Sequence, residues 1–166
     1  MKGTILVAYA SRYGSTREVA ESIASALRER TLRVVLRPAV EVHHLDEYVG
    51  VVLGGGLYMG RWHRDARGFV RHFADDLGGL PVAVFALGPT DEVPEHRAGS
   101  EKQFRKAVDK LPFEPIASAV FGGAIDPRKL HFPLNRMPSV DIRDWDAIAA
   151  WADEVAERFL SLPVAA

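Results

Sequence analysis

Thr4–Thr16 reads TILVAYASRYGST, and the order of events in this stretch sets the architecture. Thr4–Ala10 is a nearly unbroken apolar run, the pattern of a central parallel strand covered on both faces. Ser11-Arg12-Tyr13-Gly14-Ser15-Thr16 then switches to hydroxyls, an arginine and a glycine. Ser15–Arg30 places Val19, Ile23 and Leu27 at four-residue spacing, with Ala20 and Ala24 beside them, which is an amphipathic helix. A strand feeding a helix through a polar turn is the opening unit of an open α/β sheet.

The alternation continues along the chain. Arg33–Pro38, Tyr48–Gly54, Pro81–Leu87 and Ala117–Phe121 read as four further strands. Ala66, Phe69, Val70, Phe73 and Leu77 form a second helical stripe. Ser100 and Gln103 fit a capping box ahead of Phe104, Ala107, Val108 and Leu111. Ile148, Trp151, Ala152, Val155 and Phe159 make the last helix. Ala39–Glu47 is too short for a full helix. The expected fold is a doubly wound, five-stranded parallel α/β sheet of order 2-1-3-4-5, in a three-layer sandwich occupying residues 1–166 as one domain. In that order the switch point lies between the first and third strands, and ligands bind there at the strands' carboxyl ends.

The bulk composition narrows the chemistry. With 48% hydrophobic and 26% charged residues, the 166-residue chain is globular, and a net charge of -1 does not call for nucleic acid as a partner. There is no cysteine, so disulfides, thiolate metal sites and thiol redox chemistry are excluded, and any redox reaction needs a bound cofactor. No metal site is expected. The amino-terminal apolar run is too short for a signal peptide or a membrane span, and no later segment is long enough either, so a cytoplasmic protein is expected.

Three loops converge on the switch point. Ser11–Thr16 offers hydroxyls and the free N–H groups of a helix start, an anion site to which Arg12 and Arg17 add charge. Equally, Ser15 or Thr16 simply caps the helix, with Glu18 completing a capping box. The turn is neither a Walker loop nor a dinucleotide fingerprint, and the phosphate it suits is a lone monoester. The second loop, Gly54–His63, sets Tyr58, Met59 and Trp62 among four glycines, against a flat ligand or, for Tyr58 and Trp62, as core beneath the second helix. The third, Gly88–His96, is stiffened by two prolines to form a wall, its charges a solvated rim.

Ser11–Thr16 resembles the phosphate loop of the flavodoxin family, Ser/Thr-x-Thr-Gly-x-Thr, with Tyr13 replacing the middle threonine. That resemblance implies FMN as cofactor, its phosphate held by Ser11, Arg12, Tyr13, Gly14, Ser15 and Thr16. One flavin wall would be Gly56, Leu57, Tyr58, Met59, Gly60 and Trp62, the other Leu87, Gly88, Pro89 and Thr90. Tyr9–Ala20, Gly54–His63 with Phe69–His72, Phe121–Ala124 and Asp144-Trp145 are more specifically similar to the branch containing menaquinone-dependent protoporphyrinogen dehydrogenase. In that branch a long, partly apolar insertion precedes the last helix, and here Asp126–Asp144 is short.

The resemblance implies an FMN-dependent oxidoreductase acting on a small-molecule redox substrate, with a quinone as acceptor, or else a carrier between redox proteins, as a monomer or homodimer. Electron-carrier flavodoxins are strongly acidic, whereas Arg61, His63, Arg64, Arg67 and Arg71 follow the second loop here. Positive charge near reduced flavin raises its potential, unless these residues only coat the solvent face of the helix. Asp126–Pro138 mixes basic and apolar groups among three prolines, which argue against a helix. It either covers the flavin edge, meets an anionic substrate or a membrane surface, or is a structural loop. His63, His72, His96 and His131 lie near loops, where a lone histidine is more often incidental than catalytic. A phosphorylated receiver domain shares the strand order, but the acidic residues it needs are replaced by Tyr9-Ala10-Ser11 and Gly54-Gly55-Gly56.

Overall fold

The computed structural model describes residues 2–163. Five parallel strands, β1 (Thr4–Ala10), β2 (Arg33–Pro38), β3 (Tyr48–Tyr58), β5 (Val82–Leu87) and β6 (Ala117–Phe121), stand in the order β2-β1-β3-β5-β6, the doubly wound order expected. A two-residue strand, β4 (Arg61–Trp62), pairs antiparallel with the end of β3.

Alternation along the strands divides the core in two. Ile5 and Val7 of β1, with Val52, Phe85 and Phe121, face α1 (Ser15–Glu29) and α5 (Trp145–Ser161). Leu6, Ala8 and Ala10, with Val51, Leu53 and Val84, face α2 (Arg64–His72), α3 (Ala74–Gly78) and α4 (Pro94–Asp109). Val19, Ile23, Leu27, Ile148, Val155 and Phe159 are all fully buried on the first side. Each such side chain contributes about 1.5–3 kcal/mol relative to an exposed one.

Three boundaries differ from expectation. β3 does not stop at Gly54 but runs to Tyr58, because Gly54, Gly55 and Gly56 stay paired with Phe85, Ala86 and Leu87. It then reverses at Met59 and Gly60, which have φ of 48° and 78° and so form the tight two-residue turn that matches strand twist. The second helical stripe is two helices broken at Phe73. Helix α4 starts at Pro94, where a proline loses no helical hydrogen bond, so Ser100 and Gln103 lie inside it rather than capping it.

Ala39–Glu41 is a single 3-10 turn, in line with the reading that this link is too short for a full helix. Asp126–Pro138 contains two 3-10 turns, Pro127–Lys129 and Leu134–Arg136, enclosed by the antiparallel pair β7 (Ala124–Ile125) and β8 (Val140–Asp141).

Candidate functional site

Strand register sets three loops in a row at the carboxyl edge. Ala10 pairs with Gly55, and Gly56 with Leu87, so the turns after β1, β3 and β5 leave the sheet side by side. A shallow groove between α4 and β6, lined by Phe104, Arg105 and Val120, lies on the flank instead.

In the first turn Gly14 is the residue before the helix, with φ 96° and ψ -10°. That conformation is left-handed and costs other residues steric strain. The Ser11 hydroxyl accepts a hydrogen bond from the Gly14 N–H at 2.9 Å and fixes the turn. No side chain caps α1, so the expected alternatives are separated: neither Ser15 nor Thr16 spends its hydroxyl on capping. The first N–H groups of the helix are left without helical acceptors and, with the helix dipole, favour an anion.

Arg12 and Arg17, in or next to this turn, are joined there by two cations distant in sequence. Arg17 Nε donates to Glu21 at 3.0 Å, and the Arg12 guanidinium lies over the Tyr13 ring at 5.2 Å. Lys129 reaches the turn from the far end of the sequence, with its Nζ 3.2 Å from where a Cβ on Gly14 would stand. Arg143, also distant in sequence, donates to the Ser15 carbonyl at 3.2 Å and to Glu18 at 3.0 Å. It also pairs with Asp141, whose carboxyl is held below its ordinary range by the Arg143 hydrogen bond.

The second loop is the end of β3 plus its hairpin. Tyr58 and Met59 are 70% and 87% exposed, free to meet a ligand. Gly56 comes next to the first turn, a Cβ there standing 3.8 Å from Thr16 Oγ1. Trp62, expected on the flavin wall, is corrected by the structure to a core position. It is 2% exposed, its ring meets Phe104 edge-on at 5.5 Å, and its Nε1–H donates to the Gly55 and Phe85 carbonyls at 3.1 and 3.3 Å. The antiparallel pairing of Leu57 with Trp62 folds the indole inward. Trp62 supports the glycine run from behind.

Three of the basic residues that follow, His63, Arg64 and Arg67, have polar partners within the protein. Arg67 Nε donates to the Trp62 carbonyl at 2.9 Å, and Arg64 lies 3.6 Å from Asp65. His63 caps α2, its Nδ1 accepting from the Asp65 N–H at 3.0 Å. Partial burial lowers the His63 pKa from its ordinary value, with Asp65 opposing.

The third turn is braced at both sides. Gly88 N–H donates to the Phe121 carbonyl at 2.7 Å, and Gly123 N–H to the Pro89 carbonyl at 2.8 Å. Leu87 is buried at 4% exposure, and Pro89 and Thr90 are partly exposed. Asp91 accepts from the Val93 N–H at 3.0 Å and pairs with His96 Nδ1, which holds its carboxyl below the ordinary range. These residues are all exposed, in line with a solvated rim, within which the Asp91–His96 pair is a local surface contact.

The donors at the first turn fit a phosphate monoester: an uncapped helix start, the Ser15 and Thr16 residues, and an ammonium over a glycine. The edge strip beyond Gly56, with exposed Tyr58 and Met59, fits a flat aromatic group. Among the described residues there is no cluster of histidine and acidic side chains able to hold a metal ion. No helix among them is long and apolar enough to cross a membrane.

Comparison with known proteins agrees with this geometry. A flavodoxin domain family model matches residues 6–137. The chain is 27% identical to protoporphyrinogen IX dehydrogenase [quinone] of Escherichia coli (strain K12), over 91% of this chain and 93% of that one. Oxidised flavodoxin 1 of Bacillus cereus superposes with a TM-score of 0.63 at 16% identity, covering 96% of this chain and 99% of the other. Oxidised flavodoxin 2 of the same organism gives 0.62 at 25% identity, covering 94% and 99%.

Proposed function

This chain belongs to the flavodoxin domain family, with FMN as its cofactor, and we propose that it is an FMN-dependent oxidoreductase that oxidises a reduced small molecule of the protoporphyrinogen kind and passes the electrons to a quinone. The single observation carrying this reading is the 27% identity to a quinone-linked protoporphyrinogen IX dehydrogenase across 91% of the chain. A cytoplasmic setting, and residues 1–166 acting as one functional unit, are part of the proposal.

When bound, FMN supplies the capacity to take up and release electrons. The protein's own residues bind and orient it. The helix-start N–H groups of α1, with Ser15 and Thr16, would hold the phosphate, and Ser11 keeps the turn open by bonding Gly14. The β3 end from Gly56 to Gly60 would form one wall, with Tyr58 and Met59 presented outward, and Gly88–Thr90 the other. Trp62 holds the glycine backbone from behind by its two indole hydrogen bonds. Arg143 pairs with the Glu18 carboxylate, which offsets a repulsive charge in the anion's neighbourhood.

The test is anaerobic, multiple-turnover oxidation of protoporphyrinogen IX by the FMN-loaded protein with a soluble quinone, followed by porphyrin fluorescence. Quinone-dependent turnover supports the proposal. Electron transfer only between two redox proteins, with no turnover of small molecules, would overturn it in favour of a carrier.

A further inference from the structure

We propose that the Lys129 ammonium is a direct ligand of the FMN phosphate, delivered to the first turn by the segment between β7 and β8. The proposal rests on the FMN reading above and adds a residue that the phosphate loop itself does not contain.

The geometry of the segment carries it. Lys129 Nζ stands 3.2 Å from the position of a Cβ on Gly14, so the ammonium lies directly against the turn at the residue without a side chain. Its nearest carboxylate oxygen, Glu18 Oε1, is 3.9 Å away, beyond hydrogen-bond reach. Arg143, whose side chain is only 8% exposed, holds the other Glu18 oxygen, Oε2, at 3.0 Å. The neighbouring cation, Arg128, is turned back onto Asp126 by two hydrogen bonds of 3.0 Å. The same short turn therefore ties Arg128 to Asp126 and sets Lys129 by the uncapped start of α1, held there by only the long ion pair to Glu18.

Charge complementarity completes the argument. A phosphate monoester carries roughly -1.5 to -2 near neutral pH and offers three strong acceptors. Glu18 in the first helical turn would oppose that charge, and Arg143 and Lys129 together offset it. Just after β8, Arg143 ties the chain to the same turn by donating to the Ser15 carbonyl at 3.2 Å. Lys129 is half-exposed, so its attraction for the phosphate weakens as salt rises.

The experiment titrates apoprotein with FMN and, separately, with riboflavin, which has the same ring and no phosphate, at low and high NaCl. Wild type, Lys129→Ala and Lys129→Arg are compared, with thermal melts of each apoprotein as a folding control. The expected result is about tenfold weaker FMN binding by Lys129→Ala at low salt, the size of a lost charge-assisted hydrogen bond. Riboflavin binding stays unchanged, Lys129→Arg regains most of the loss, and high salt narrows the gap. Equal loss for both flavins, or no loss for either, would overturn the role of Lys129 while leaving the cofactor assignment standing. A wild-type protein that binds FMN no better than riboflavin would overturn the phosphate turn itself.

Discussion

The ring of Phe85 fills the space beside Gly54 in which any side chain at that position would have to stand. The two residues are partners across β3 and β5, and Phe85 is fully buried. The glycine run at the end of β3 therefore has two surroundings. Gly54 answers to the core, while Gly56 stands beside the first turn, a Cβ there being 3.8 Å from Thr16 Oγ1.

Gly54→Ala is predicted to cost about 3 kcal/mol of stability, the upper part of the usual range for overpacking a core. Chemical denaturation measures it. A change below roughly 0.5 kcal/mol, the scale of ordinary surface substitutions, would show that Phe85 has room to move and that the packing account of Gly54 is wrong.

Gly14→Ala acts differently. At φ 96° an alanine is strained by about 1–2 kcal/mol, and its methyl group would stand 3.2 Å from Lys129 Nζ. The variant should melt at a lower temperature and bind FMN more weakly, with a smaller effect on riboflavin. Unchanged melting would contradict the left-handed turn.

Trp62→Phe keeps an aromatic ring in the core but removes the donor to the Gly55 and Phe85 carbonyls. A loss of about 1–2 kcal/mol is expected from the missing hydrogen bond. FMN should also dissociate faster, because the strand end loses its support. Stopped-flow release of the flavin reads this, and an unaltered release rate would mean that the indole braces only the core.

His63 gives the fold a pH dependence. Its Nδ1 accepts from the Asp65 N–H, so the cap uses the neutral ring. Partial burial favours the same neutral form, lowering the pKa from 6.5, and Arg64, Arg12 and Arg67 push the same way against Asp65. The unfolded chain therefore takes up a proton before the folded one does as the pH drops. The contribution of His63 to stability is full above about pH 6.5 and is lost as pH falls through the lowered folded value. His63→Asn retains a capping side chain without a titrating ring. Denaturation midpoints from pH 7.5 to 5 should fall more steeply for wild type than for this variant. Parallel curves would exclude His63 as the source.

Much of the fold was legible because periodicity reports local burial. The apolar run of β1 and the four-residue spacing in α1 need no long-range information, and the strand order followed from the alternation. The three loops were located by the same logic. The parts that were not legible depend on pairing across the chain. Glycine's weak strand preference ended β3 early on paper, yet its partners on β5 carry the ladder on to Gly56. Trp62 looked like an exposed aromatic until its pairing with Leu57 turned it inward. Arg12 and Arg17 are visible as cations in and beside the anion turn, but Lys129, whose Nζ also stands against Gly14, is 115 residues further on and no spacing rule connects the two.

We propose that the uncapped start of α1 receives the phosphate of FMN. Backbone amide NMR of the 15N-labelled apoprotein, titrated with FMN and with riboflavin, locates that phosphate residue by residue. The amides of Gly14, Ser15, Thr16 and Arg17 should move strongly with FMN and barely with riboflavin, while those from Gly56 to Gly60 move with both. If the two flavins shift the first group equally, or if the phosphate-dependent shifts fall elsewhere in the chain, the site described here is not where the cofactor's anion binds.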